Sequence, residues 1–361
     1  MFKRFVVLGL VMFFAGASVF AVDVVINPPT INGDYAQYFD FDQAVNDFMG
    51  KAFSELDRFD KMTDLLKAMS NASSFAADGA TIRNFLGYDI FTIAIGTMGA
   101  VQNKSFDIAD TLNNFEGDED IFFGVNAQAI TVSAGVNLGA FVEGLYVSAK
   151  VGTFSFNISD FDISTFSCGL MAHYQLVKPK SALAVAWKGL QVGAGIIYYK
   201  SDLSYKTDAS IETNYVNLES SSAPGMSAGT ATLVFEPELK MEFSTKGIKI
   251  PVDVMTGIRL AILDVSFGLG VDINIWSDSD LTYNVKGPAY LEGLPMGLTA
   301  TPGSAKVSGG TTGGSADIFN FKAMAGLGIS LGPVKLDVPL TYYFGEKGPG
   351  ANLGVTIGAA F

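Results

Sequence analysis

One histidine, His173, and one cysteine, Cys168, are all that the chain offers for imidazole or thiol chemistry. A nucleophile activated by imidazole would have to use His173. Cys168 stands five positions away, an odd separation that puts the two on opposite faces of a strand. A single Cys and a single His also cannot build a Cys- or His-rich metal site. A distant Ser or Asp could still approach His173, but no spacing signals one, and a satisfied polar histidine is the plainer reading. The acidic run Glu116-Gly117-Asp118-Glu119-Asp120 does not match the spacing of an EF-hand loop and reads as a solvated loop. Gly268-Leu269-Gly270 and Ser308-Gly309-Gly310 lack the strand-loop-helix setting of a phosphate cradle. The chain is therefore expected to be no enzyme and to carry no cofactor or metal.

Charge is the patterned chemistry. Glu236, Glu238, Lys240, Glu242, Lys249, Asp253, Arg259, Asp264, Asp272, Lys322, Lys335 and Asp337 recur opposite apolar faces at a period of two. Such a face, turned inward, must be hydrated by a channel or paired across strands, because a lone buried charge is very costly. The first alternative is a water-filled pore for small polar solutes. The second is a narrow, salt-bridged barrel that conducts nothing.

The elements that carry these charges are strands. In 334–344, Val334, Leu336, Val338, Leu340, Tyr342 and Phe344 share one face, while Lys335, Asp337, Pro339, Thr341 and Tyr343 share the other. Residues 263–276 set Leu263, Val265, Phe267, Leu269, Val271, Ile273 and Ile275 against Asp264, Ser266, Gly268, Gly270, Asp272, Asn274 and Trp276. In 163–176, Phe166, Cys168, Leu170, Ala172, Tyr174 and Leu176 are apolar against Ser167, Gly169, Met171, His173 and Gln175. Apolar faces of this kind, each backed by charge, predict an all-β fold, a transmembrane antiparallel β-barrel whose outer solvent is lipid. Beyond the first twenty or so residues no apolar run approaches the roughly 18 needed for a spanning helix, whereas a spanning strand needs only about 9–11.

Strands are expected from about residue 88, then at 121–134, 142–157, 163–176, 189–205, 229–243, 248–260, 262–276, 317–331, 333–344 and 351–361. These are eleven segments, and single-chain barrels use even numbers. A further strand around Ile211 to Leu218 would bring the total to about twelve, within a range of 10–14. Pro237, Pro251 and Pro339 argue against central strands and point to bulges or rims. The tight corners at 261–263 and 331–333 are expected in the periplasm. The stretches 206–226 and 277–316 are expected as long extracellular loops, with Trp276, Phe319, Phe321, Tyr342, Tyr343 and Phe344 near the outer rim.

Ahead of the barrel, taken as 87–361, lies a segment 22–86 read as a periplasmic or plug element. Within it Phe41, Val45, Phe48, Ala52, Leu56, Phe59, Met62, Leu66 and Met69 recur at steps of three and four, an amphipathic helix over 41–69 with Asn71 to Gly79 as a breaker. Lys3 and Arg4 followed by apolar Phe5 to Phe14 and Val19-Phe20-Ala21 mark residues 1–21 as a cleaved signal peptide. The formal net charge of −13 disfavours nucleic acid and anionic lipid. With one cysteine there is no internal disulfide.

The pattern as a whole resembles bacterial outer-membrane β-barrel proteins of the type seen in spirochaetes. Leu353, Val355, Ile357, Ala359 and the terminal aromatic Phe361 are similar to the end signature that the barrel-assembly machinery reads, although Ala359 stands where an aromatic is common. The helix ahead of the barrel is similar to that of long-chain fatty-acid transporters, without their asparagine-proline-alanine signature. The resemblance implies residence in the outer membrane, with outer-membrane lipid, the assembly machinery and small solutes as partners. It implies a passive channel, with a carrier of hydrophobic compounds or a surface-exposed interaction, adhesion or structural barrel as the alternatives.

Overall fold

A computed structural model describes residues 23–27, 29–32, 62–79, 81, 90–104, 123–182, 185–208, 211–218, 229–294 and 299–361. The signal peptide expected at 1–21 and residues 41–61 of the helix expected at 41–69 lie outside these residues. In chain order the strands are β1 (Asp23–Asn27), β2 (Thr30–Asn32), β3 (Phe91–Asn103), β4 (Phe123–Asn137), β5 (Leu145–Ile158), β6 (Phe161–Val177), β7 (Lys180–Ala182), β8 (Val185–Asp208), β9 (Ile211–Leu218) and β10 (Gly229–Phe235). They continue as β11 (Glu238–Leu260), β12 (Leu263–Glu292), β13 (Thr299–Thr301), β14 (Gly303–Thr312), β15 (Phe319–Leu331), β16 (Val334–Phe344) and β17 (Gly350–Ala360). The single described helix, α1, is Met62–Ala76, and no described helix is long and apolar enough to cross a membrane.

Antiparallel pairing runs β3-β4-β5-β6-β8-β11-β12-β15-β16-β17 and returns to β3, so ten strands close a ring among the described residues. The number is even because 229–243 and 248–260 are not two strands. β11 passes through both as one, and β10 stands apart, pairing with β9 and the far end of β12. The strand suspected at Ile211 to Leu218 exists as β9 but lies off the ring. Pro251 and Pro339 do sit inside ring strands; the register with β8 skips residues 250 and 251, and that with β17 skips 338 and 339. Each proline thus faces one neighbour where the ladder asks for no donor.

The outer wall is a band of exposed apolar side chains, including Leu170, Val254, Phe267, Leu269, Leu327, Leu336, Val355 and Ile357. In water such a band would be untenable, so lipid is its solvent. Tight turns at 261–262 and 332–333, with Phe361, mark the lower rim; Ala261 and Gly332 there take positive φ of 54° and 60°. At the upper rim most strands stop, but β8, β11 and β12 run on for 24, 23 and 30 residues, against the about 9–11 that span a bilayer.

One irregularity divides β12. Ile248 pairs with Trp276 and Lys249 with Asn274, leaving Ile275 as an extra residue in the strand. An extra residue flips which side chains face inward. Below it the inward residues are Asp264, Ser266, Asp272 and Asn274; above it they are Ser279, Leu281 and Tyr283. At the same level β12 exchanges its neighbour β15 for β14. Leu281 and Tyr283 join Leu239, Phe243 and Leu66 of α1 in an apolar cluster above the lipid band. Burial there pushes the Tyr283 phenol up. The stretch 277–316 is therefore mainly strand, not a loop, and with β8 to β11 it builds a β-rich head.

Substituting Leu269→Arg, at the middle of the band, should cost about 2–4 kcal/mol in a folding titration from urea into vesicles. Thr282→Arg, exposed on the head, should change stability by no more than about 0.5 kcal/mol.

Candidate functional site

α1 lies inside the ring. Its residues Ser70 to Ala76 are buried on all sides, although Asn71, Ser73 and Ser74 read from sequence as part of a breaker. The wall supplies the partners that small polar side chains need. Ser70 shares hydrogen bonds with Thr245 and Ser279 at 3.1 and 2.9 Å. Asn71 donates to Asp317 and accepts from its backbone N–H, both at 2.8 Å. Ser74 donates to Asn274 at 3.1 Å, and Asn126 donates to Ser73 at 2.6 Å. Close approach also needs wall positions without a side chain. A Cβ at Gly124 would stand 2.0 Å from the Ala68 carbonyl oxygen, and one at Gly350 would stand 2.4 Å from the Phe75 ring. The turn that follows α1 closes at Gly79, whose N–H donates to the Ala76 carbonyl at 3.0 Å and whose φ of +63° no β-branched or bulky residue would readily adopt.

The last turn of α1 carries no basic residue of its own. A helix C-terminus leaves carbonyls unpaired and presents partial negative charge, so cations are favoured there. Here the barrel wall provides them. Lys249 Nζ donates to the Ser74 carbonyl at 2.6 Å, Asn352 to that of Phe75 at 2.9 Å, and Lys150 Nζ to that of Ala77 at 2.9 Å and to that of Asp78. The Asp78 carboxylate accepts from Lys249 at 2.6 Å, from Tyr343 at 2.6 Å and from Lys322 at 3.4 Å. Asp272 accepts from Lys249 at 2.9 Å and from Lys322, completing a two-acid, two-lysine square. The Phe75 ring stacks on Tyr343 at 3.7 Å between centroids, nearly parallel at 10°. Six ring strands contribute to this cap: β5, β11, β12, β15, β16 and β17.

Of the residues predicted to line the lumen, Lys249, Asp272 and Lys322 meet at this cap. Asp253 faces a cavity of about 100 Å³ below it, 3.9 Å from His173 Nε2, with Lys150, Tyr146 and Gln191 also in the lining. Asp264 and Arg259 form a separate group near the lower rim, where Lys188 Nζ lies 2.6 Å and Arg259 Nε 2.9 Å from Asp264, and Ser330 donates to it. Lys335 and Asp337 are buried on the inner face of β16. Cys168 is half-buried on the opposite face of β6 from His173.

Four residues predicted on the inward face, Glu236, Glu238, Lys240 and Glu242, are corrected. Glu236 and Glu238 are exposed, and Lys240 pairs with Glu242 at 2.6 Å on the outer face of the head, because the inward phase of β11 is carried by Leu239, Phe243, Thr245 and Lys249. Tyr343 is likewise no member of an outer aromatic belt: it is fully buried, while Trp276, Phe319, Phe321, Tyr342 and Phe344 are exposed. Sequence reasoning passed over Asp78, Lys150, Lys188 and Asn352. The alternation Ser148, Lys150, Gly152 against Ala149 and Val151 does place Lys150 inward. Asp78, just past the end of a helix, has no comparable signal.

Residues 30–359 match the model of a family described as Lsa36-like. No curated protein matches the chain. Among solved structures it is similar to the translocator domain of the autotransporter NalP from Neisseria meningitidis, at 14% identity and a TM-score of 0.30 over 90% of this chain and 99% of that one. It is similar also to the Ralstonia pickettii toluene transporter TbuX, at 9% and 0.27 over 82% and 99%, and to the outer membrane protease OmpT from Escherichia coli, at 6% and 0.33 over 79% and 100%. Likenesses this slight say nothing of ligand or reaction.

Removing Lys249 strands two buried carboxylates and the Ser74 helix carbonyl, so Lys249→Met should destabilise the folded barrel by about 3–5 kcal/mol in denaturant titration. Lys347→Ala, which breaks a half-exposed pair with Asp64 at the upper rim, should cost less than about 1 kcal/mol.

Proposed function

The chain belongs to the Lsa36-like family, and for a barrel filled in this way we propose a closed outer-membrane anchor that holds a β-rich head at the bacterial surface. The observation that carries the reading is α1 seated in the lumen with its C-terminus capped by wall lysines. A passive channel for small polar solutes would need these charges to hydrate a passage; Lys249, Lys322 and Asp272 are engaged with one another and with Asp78 instead. A carrier of hydrophobic compounds would need an apolar route where the same network stands. The anchor reading uses both halves of the molecule, the band to hold it in lipid and the head to meet partners outside. It needs no catalytic step.

Orientation follows the rule that short turns face the periplasm and long connections the exterior. The head then projects from the cell. Its outer face carries Glu236, Glu238, Lys240, Glu242, Lys246, Asp278 and Asp280, a mixed-charge surface suited to a soluble or surface-bound partner. Lys246 stands over the Trp276 ring at 5.9 Å, where the charged face meets the top of the lipid band. Phe361, exposed at the lower rim, is the proposed contact of the assembly machinery.

Two measurements test the proposal. Purified protein in planar bilayers should give no conductance steps; stable open steps from the unaltered protein would restore the channel. Excision of residues 202–244 and 280–312 removes the head at places where the chain already meets itself, Ser201 pairing with Thr245 and the Gly313 N–H donating to the Ser279 carbonyl at 3.2 Å. Proteoliposomes carrying that variant should lose binding to immobilised proteins or polysaccharides that the full chain binds. Binding that survives excision would defeat the head's role.

A further inference from the structure

The two ends of the segment that precedes the ring lie at opposite rims. β1 pairs with β14 over Asp23 to Asn27 against Ser308 to Ser304, and Asn27 donates to Ser304 at 3.0 Å. β2 pairs with β13, with Asn32 donating to Thr301 at 3.0 Å. Both strands therefore belong to the head. The first turn of α1 is still at the upper rim, where Asp64 meets Lys347 of the β16–β17 connection and Lys67 meets Asp317 at 2.5 Å. The helix then descends: Leu66 lies under the head cluster, and Asp78 sits at the lysine cap. Thr81 borders the cavity below. The chain reaches the lower rim at Phe91, whose N–H donates to the Phe361 carbonyl at 3.1 Å, and only there does the first ring strand begin.

From this path we infer that the barrel carries its own amino-terminal segment to the outside of the cell: strands β1 and β2 stand on the exterior, and the chain returns through the lumen as α1. The inference rests on the orientation proposed above. A chain exported across the inner membrane arrives in the periplasm, and the ring is sealed by hydrogen-bonded strands on every side. Strands β1 and β2 can reach β14 and β13 only by going up through the lumen or by being enclosed as the ring closes. A helix with its side chains is about 10–12 Å wide, and in the finished protein it occupies the way through. The segment is thus locked outside once the lysine cap has formed. Strands β1 and β2 become part of the surface that a partner meets, pairing with β14 and β13 of the head.

The test uses three single cysteines in the full-length chain with Cys168→Ser, which removes the one native thiol. Val25→Cys lies on β1, Thr282→Cys on the head and Phe141→Cys in the lower-rim connection; all three native side chains are exposed. Intact cells are treated with a membrane-impermeant maleimide. Positions 25 and 282 should label to the same extent, and position 141 only after the outer membrane is permeabilised. Labelling at 282 without labelling at 25 overturns the threading while leaving the orientation in place. Labelling at 141 with 282 protected inverts the barrel, and protection of all three places it inside the cell; either result removes the orientation and the threading together.

Discussion

The C-terminus of one short helix, capped by lysines that the barrel wall supplies, is the interaction on which the rest of this structure depends. Three groups that would each be untenable alone become compatible there. A helix end buried without partners leaves open carbonyls, and acids or lysines in a dry lumen are costly unless paired. Brought together, Ser74, Phe75, Ala77 and Asp78 give carbonyls, Lys150, Lys249 and Asn352 give donors, and Asp78 with Asp272 balances Lys249 with Lys322. The geometry also explains why α1 itself carries small polar residues rather than an apolar stripe in its last two turns. The wall around it is a polar one, built from Thr245, Ser279, Asn274 and Asn126.

The single extra residue at Ile275 does comparable work for the upper half. Below it, the inner face of β12 is charged and meets the cap; above it, the same strand turns Leu281 and Tyr283 inward to close over Leu66. Without the change of phase, Asp278, Asp280 and Thr282 would point at the apolar side of α1. The bulge also lies at the level where the outer face changes from Val252, Val254 and Ile258 on β11 to Glu238, Lys240 and Glu242. One local irregularity thus sets the upper border of the lipid band and the floor of the head.

Much of this was legible in the sequence because a lipid-facing strand declares itself residue by residue. The ring strands after residue 120 fall close to their expected places, and the inner charges from Lys249 to Asp337 follow from period two alone. What failed, failed where period two is interrupted or continues past its purpose. Residues 229–243 and 248–260 looked like two strands because the outward face changes from charged to apolar between them, although the backbone of β11 does not stop. At Glu238 and Lys240 charge reads as a mark of the lumen, which holds only inside the lipid band; above it water lies outside and the core within. Tyr343 reads as rim aromatic from its neighbours Tyr342 and Phe344, yet its alternation with them turns it toward Asp78. Asn71 to Ser74 favour turns in isolation, and only the wall that hydrogen-bonds them makes them helical.

Helix and ring are consequently one cooperative unit. A 15-residue helix is marginal in water by itself, and α1, with four Ser and Asn in its second half, is a poor one. Its order comes from the wall. The wall in turn holds buried Lys249 and Asp272 and the side chains that bond Asp78, Lys150, Lys249, Lys322 and Tyr343, on strands that are far apart in sequence. Those strands come into register around one point only after β3 and β17, the first and last of the ring, have paired. The cap, which joins Lys150 of β5 to Asn352 of β17 around one helix end, is therefore complete only in the closed ring. Closure is the step at which water leaves the network and the pairings strengthen, since an ion pair gains most where the medium is least polar. Because α1 contributes the central acceptors, a ring closed without it would hold Lys150, Lys249 and Lys322 against only Asp272 and Asp253, with excess positive charge in its lumen. The plug and the seam thus select for each other, and the protein has reason to close only around its own helix.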